Sequence, residues 1–140
     1  MNANDLISLI SKIREKVNRL IISELAVHGV EGIVTSHGDI IYALIQKPKM
    51  TMAEIAAKIG KDKSTVTALV DKLVKLGYVA KERGTEDTRI IYVTLTRKGL
   101  DLKPVFDEIS QKVLDVFYTD VSEKEKEVIF QILNKIYNNF

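Results

Sequence analysis

The sequence predicts a mainly α-helical protein with a small β component, an α+β chain built around one central module. Three observations predict it. Residues 51–77 hold two short amphipathic helical patterns separated by a glycine. Two β-prone runs follow at once, with a polar, turn-rich segment between them. Long apolar stripes at helical spacing occupy both ends of the chain. At 140 residues the chain fits one domain and can bury a core of its own.

In the central module Thr51 and Glu54 form a T-x-x-E capping box, which satisfies two orphan N–H groups at a helix start. Ile55, Ala56 and Ile59 share one helical face, and Gly60 is suited to end that helix with a positive φ. Asp62 caps the next helix, whose apolar stripe is Val66, Leu69, Val70, Leu73 and Leu76 before Gly77 stops it. Two short helices around a glycine turn make a helix-turn-helix. Tyr78–Val79 and Ile90–Leu95 then read as strands, and the polar segment 81–89 as the tip of a hairpin. A helix-turn-helix followed directly by such a ribbon is a winged helix, expected over residues 36–97.

This shape points to double-stranded DNA. With the apolar stripe buried, Lys63, Ser64, Thr65 and Thr67 project from the N-terminal half of the second helix. A major groove admits an α-helix, and Lys and short hydroxyl side chains reach base edges or phosphates there. The hairpin brings Arg83 and Arg89 to the same duplex. An Arg on a thin wing suits the narrow, strongly negative minor groove. Asp87, two residues before Arg89, is expected to pair with it and hold it extended. Lys72, Lys81 and Arg83 are the expected phosphate contacts, and Asp87 and Thr88 complete the wing set.

Taken together, these residues resemble a known family. The runs Ser64-Thr65-Val66-Thr67, Leu69-Val70-Asp71-Lys72-Leu73 and Lys75-Leu76-Gly77-Tyr78-Val79 resemble the recognition helix of MarR-type (multiple antibiotic resistance) regulators. Arg83, the Asp87-Thr88-Arg89 wing and the Val93-Thr94-Leu95-Thr96-Arg97-Lys98-Gly99 exit match in order as well. The resemblance implies a dimeric winged-helix transcription factor, more often a repressor, often released from DNA by a small ligand. It places Ser64, Thr65 and Thr67 as recognition-helix contacts and Arg89 as the wing-tip residue in the minor groove. The chain departs from the family at Ala68, where many members carry a basic residue, and at Thr88, where a second wing Arg is common.

Composition agrees with this reading. The chain is 46% hydrophobic and 29% charged, an ordinary globular balance. It contains no Cys, which excludes disulfides and thiolate metal sites. No apolar run approaches a membrane span, and the first residues lack the basic region of a signal peptide, so the expected location is cytoplasmic. The net charge of +2 divides unevenly: residues 47–98 hold 12 Lys/Arg and 6 Asp/Glu, a net of +6, and the remainder is −4. The positive charge therefore gathers on the segment expected to meet phosphate.

The flanks read as dimerisation helices, expected over 4–30 and 98–140. Leu6, Ile10, Ile13, Val17 and Leu20 step by four and three residues across a helix over 4–27. Residues 28–32 break it. Thr35 or Ser36 is expected to cap a helix bearing Ile40, Ile41, Leu44 and Ile45, which ends at Lys47-Pro48. Thr96 is expected to cap a helix over about 97–118, with Pro104 marking a kink or a later start. Ser122 and Glu125 form a second capping box before a last apolar helix.

No phosphate loop, nucleophile–base pair or metal motif is present, so the chain is not expected to be an enzyme or to need a cofactor. Glu24 and His28 are the only ligand pair at helical spacing, too few for a metal site. His28, His37 and Tyr42 are candidate small-ligand residues near the junction of flank and wing module. The alternative function is a winged-helix protein-interaction module without an operator of its own.

Overall fold

Ten elements follow one another in the computed structural model, which describes all 140 residues. They are α1 (Ala3–Val27), α2 (Thr35–Gln46), β1 (Lys49–Thr51), α3 (Met52–Ile59), α4 (Lys63–Leu76), β2 (Val79–Arg83), β3 (Ile91–Leu95), α5 (Arg97–Leu100), α6 (Lys103–Phe117) and α7 (Glu123–Tyr137). The mainly helical, winged-helix expectation is met.

Local chemistry accounts for most boundaries. Thr51 Oγ1 accepts from the Glu54 N–H at 3.1 Å while the Glu54 carboxylate accepts from the Thr51 N–H at 3.2 Å. Ser122 and Glu125 repeat this box at α7, at 3.0 and 3.2 Å. Gly60 and Gly77 close α3 and α4 with φ of 70° and 85°, a left-handed conformation that costs other residues energy. Thr96 caps α5 through the Gly99 N–H at 3.2 Å.

Four local expectations are corrected. First, the sheet has three strands, not two, in the order β1-β3-β2 and antiparallel throughout. Strand β1 is three residues long beside Pro48, too short to carry an alternation. Its register sets Met50 opposite Val93, and both are buried. Second, α2 starts at Thr35, so neither Thr35 nor Ser36 is its cap. The cap residue is Val34, which has no side-chain acceptor; the His37 ring instead accepts from the Val34 N–H at 2.9 Å. Third, the helix expected over about 97–118 is two, α5 and α6, with Pro104 in the first turn of α6, where its missing N–H costs nothing. Fourth, α1 begins at Ala3, because Asn2 and Asp5 form a capping box of their own.

The core sits in the wing lobe. Ile40, Ile41, Leu44, Ile55, Val66, Val70, Leu73 and Val93 are fully buried where α2, α3, α4 and β3 meet. Each such aliphatic side chain contributes about 1.5–3 kcal/mol by leaving water. In β3 only Val93 is buried; Ile91, two residues away on the same face, is exposed where the strand leaves the lobe for the wing. Helices α1 and α6 pack together beside this lobe, and Leu25 and Ile109 join them to its core. Helix α7 buries none of its residues. No helix is long and apolar enough to cross a membrane.

Candidate nucleic-acid interface

The exposed tip of α4 is ordered by one carboxylate. Asp62 Oδ1 accepts from the Thr65 N–H and from the Ser64 hydroxyl, each at 2.8 Å, and Oδ2 accepts from the Thr65 hydroxyl at 3.0 Å. These bonds hold its pKa at about 2, the Thr65 N–H being the largest cause. The Thr67 hydroxyl donates to the Lys63 carbonyl at 2.8 Å. Lys63, Ser64 and Thr65 are exposed, Thr67 is half-buried, and Val66 beneath them is in the core. Ala68 is exposed as well.

The wing is braced from within. Arg89 makes three bonds to Asp87, through its backbone N–H, Nε and Nη2, all at 3.0 Å. The Arg89 guanidinium beside it lowers the Asp87 pKa. The Arg89 side chain is nonetheless 89% exposed, so its remaining donors face solvent. Arg83 behaves differently. Its Nη1 donates to the Thr88 carbonyl at 2.9 Å, tying the rising strand to the tip. Thr88 thus enters the wing through its backbone. Lys81 Nζ lies 2.6 Å from Asp71 Oδ1, linking β2 to α4. Gly84 is required at the base of the tip: a Cβ there would stand 2.5 Å from the Asp87 carbonyl oxygen.

Lys72 is exposed on α4, close enough to lower the pKa of His37. His37 itself is buried, and that burial is the larger cause of its lowered pKa. His28 sits elsewhere, at the end of α1. Its Nδ1 lies 2.8 Å from the Glu24 carbonyl and its Nε2 3.1 Å from Glu108 on α6, and both contacts raise its pKa. Beside it Lys112 Nζ meets Glu24 at 2.5 Å. Neither histidine joins a cluster of three potential metal ligands.

A cavity of about 320 Å³ opens between α1, α2 and α6. Leu25, Tyr42, Phe106 and Ile109 line it, with Thr35 and Asp39 as polar members. The Thr35 hydroxyl is buried without a hydrogen-bond partner. Loss of surrounding water raises the Asp39 pKa, against Arg14 and Lys61 nearby. Of the three candidate ligand residues, Tyr42 lines this space; His28 and His37 do not.

Sequence reasoning named Asp62 only as a cap. Its hold on two neighbouring hydroxyls was readable in principle from the D-x-S-T spacing, since a cap carboxylate has a second oxygen. The Arg83–Thr88 brace gives no such signal, because its acceptor is a backbone carbonyl placed by the hairpin.

Comparison with known proteins fits this geometry. A family model described as MarR family matches residues 28–90. The chain is 33% identical over 100 residues to the HTH-type transcriptional regulator SarZ of Staphylococcus haemolyticus, covering 71% of this chain and 67% of that one. Its fold matches that of a mutant MarR from E. coli complexed with operator DNA, with a TM-score of 0.84 and 20% identity, over 94% of this chain and 93% of that one. It also matches the PcaV transcriptional regulator from Streptomyces coelicolor in complex with its natural ligand, with a TM-score of 0.81 and 18% identity, over 99% and 93%. From the capped α4, the braced wing and these matches together, the chain belongs to the MarR family.

Proposed function

We propose that this protein is a sequence-specific DNA-binding transcriptional regulator, a homodimeric repressor of pseudo-palindromic operators working in the cytoplasm. Residues 36–97 act as its DNA-binding lobe, and residues 4–30 and 98–140 as its dimerisation helices. Lys63, Ser64, Thr65 and Thr67 enter the major groove, and Arg89 enters the minor groove. Lys72 lies free for phosphate. Lys81 and Arg83 keep donors for phosphate beyond their bonds to Asp71 and the Thr88 carbonyl.

One observation carries the reading. Arg89 is bonded three times to Asp87 and still held out in solvent. It packs against nothing in the lobe, so its ordering serves a partner. A guanidinium on a narrow hairpin is the group a minor groove attracts. The solved relative from E. coli was crystallised with operator DNA, which supports the same partner here.

The test is selection from a pool of genomic DNA fragments at about 150 mM salt. A recovered inverted repeat with half-sites about 10 base pairs apart is the expected result. Binding without an enriched motif, lost as salt rises, would instead favour the protein-interaction module.

Release by a small ligand has its own support in the cavity under α2. An occupant there would touch α1, α2 and α6 at once, and PcaV shows a relative with a bound natural ligand. Asp39 is the one charged side chain lining the space. A compound that raises the melting temperature and weakens operator binding together would identify an effector; one that does only the first would not.

A further inference from the structure

The hydroxyl groups at the tip of α4 are not free to choose their role. Ser64 and Thr65 direct their O–H groups at Asp62, and Thr67 directs its own at the Lys63 carbonyl. Neither acceptor can reverse the bond. A carbonyl has no proton, and Asp62, with a pKa of about 2, is ionised at any working pH. A hydroxyl carries one proton and two lone pairs. With that proton committed, each oxygen offers only lone pairs to whatever lies in front of it. At the tip, the ammonium of Lys63 is then the donor that remains.

We propose that Asp62 is a specificity-determining positioning residue: by holding the Ser64 and Thr65 hydroxyl protons, it makes both side chains acceptors that read amino groups on DNA bases. In the major groove those amino groups are adenine N6 and cytosine N4, whereas guanine and thymine present acceptors at O6, N7 and O4. Ser64 and Thr65 therefore select adenine or cytosine on the strand they touch and disfavour guanine and thymine. Lys63 takes the complementary part, donating to guanine or to phosphate. The inference rests on the DNA-binding reading above and adds the polarity of the readout.

The geometry makes one substitution diagnostic. Asp62→Asn keeps a good helix cap. Its amide oxygen must stay on the Thr65 N–H, which is also where the Ser64 hydroxyl donates. The amide nitrogen then replaces Oδ2 and donates to the Thr65 oxygen. That bond releases the Thr65 proton toward the groove and leaves Ser64 unchanged. The polarity of one contact inverts while its neighbour does not.

The experiment is selection from a randomised duplex pool with the parent protein and with Ser64→Ala, Thr65→Val and Asp62→Asn, each first checked for native helix content and melting. The positions whose preference disappears in Ser64→Ala and Thr65→Val mark the two contacts. The parent should carry adenine or cytosine at both. Asp62→Asn should admit guanine or thymine at the Thr65 position, by about fivefold relative to the parent, and keep the Ser64 position as it was. As a second measurement needing no variant, replacing adenine by purine, which lacks the N6 amino group, at the Thr65 position should weaken parent binding about fivefold. Guanine or thymine at the marked positions in the parent, no position dependent on either hydroxyl, or indifference to purine would overturn the inference while leaving the regulator reading intact. No motif enriched by any of the four proteins would overturn both.

Discussion

Asp87 orders an exposed Arg89 side chain from within the wing, which suits the proposed minor-groove contact. An Arg side chain free in solution must lose rotamer freedom when it enters a groove, and the bonds to Asp87 remove part of that freedom in advance. Arg89→Ala is expected to weaken operator binding about tenfold or more, measured by fluorescence anisotropy. Asp87→Ala should weaken it less. If Asp87 acts only through Arg89, the double variant binds as Arg89→Ala does. The buried His37 carries a pH dependence. Its pKa is lowered from 6.5, first by burial and then by Lys72, and its ring must be neutral to accept from the Val34 N–H. The unfolded chain therefore takes up the proton first as pH falls. His37 contributes fully above pH 6.5 and loses that contribution as pH falls through its lower folded-state value. His28 has the opposite sign: its contribution is present below pH 6.5 and fades as pH rises through its raised folded-state value. Melting temperature followed from pH 8 to 5 should decline less steeply in His37→Gln than in the parent, and an unchanged slope would remove His37 from this role.

At the scale of the element, caps and glycines explain more than apolar pattern does. The Ser122–Glu125 box orders the first turn of a helix that buries none of its own residues, so little packing stands in reserve. Ser122→Ala should cost about 1 kcal/mol in chemical denaturation. The wing depends on Gly84 for a different reason. Its Cβ would collide with the Asp87 carbonyl, and Asp87 holds Arg89. Gly84→Ala should shift the tip and reduce operator affinity with only a small loss of melting temperature, since the core at Val93 is not touched. A large loss of melting temperature with affinity preserved in the folded fraction would assign Gly84 to the fold instead. The same scale shows why some boundaries were legible and others were not. T-x-x-E and S-x-x-E marked α3 and α7 correctly, because the two halves of each box lie three residues apart in sequence. The start of α2 was misplaced, because its cap is a histidine ring reaching back to a valine. Strand β1 went unseen because its pairing partner lies more than forty residues away.

The whole chain exposes more surface than a compact monomer of its mass. Its accessible area is 9916 Å², whereas about 7,300 Å² is usual for 15.8 kDa. Many large apolar side chains are exposed at the two ends. Leu6, Ile7, Leu9, Ile10 and Ile13 are exposed on α1, and Ile129, Ile132, Leu133 and Ile136 form a stripe on α7. An excess on the order of 2,600 Å² per chain, about 5,200 Å² for two chains, lies at the upper end of the total area that obligate dimers bury. Ile132→Asp combined with Leu133→Asp should convert the proposed dimer to a monomer in sedimentation velocity and reduce operator affinity more than 100-fold, because two tethered half-sites give way to one. If the doubly substituted chain sedimented as the parent does, α7 would not be the interface.

The sequence by itself determined the winged-helix class, both glycine-terminated helices, helix α4 with its buried Val66 and exposed Ser64 and Thr65 hydroxyls, and the Asp87–Arg89 pair. All of these are written in contacts between residues a few positions apart, where helical spacing and capping chemistry act without reference to the rest of the chain. The tertiary structure alone decided the third strand, the pairing of Arg83 with a wing carbonyl and of Lys81 with Asp71, and the links from α1 to Glu108 and Lys112. It also separated Tyr42, which lines the cavity, from His28 and His37, which do not. Each of these depends on which segments the burial of Ile40, Ile41, Leu44, Val70 and Leu73 brings side by side. Linear spacing does not encode that adjacency, because the hydrophobic effect that drives it has no direction.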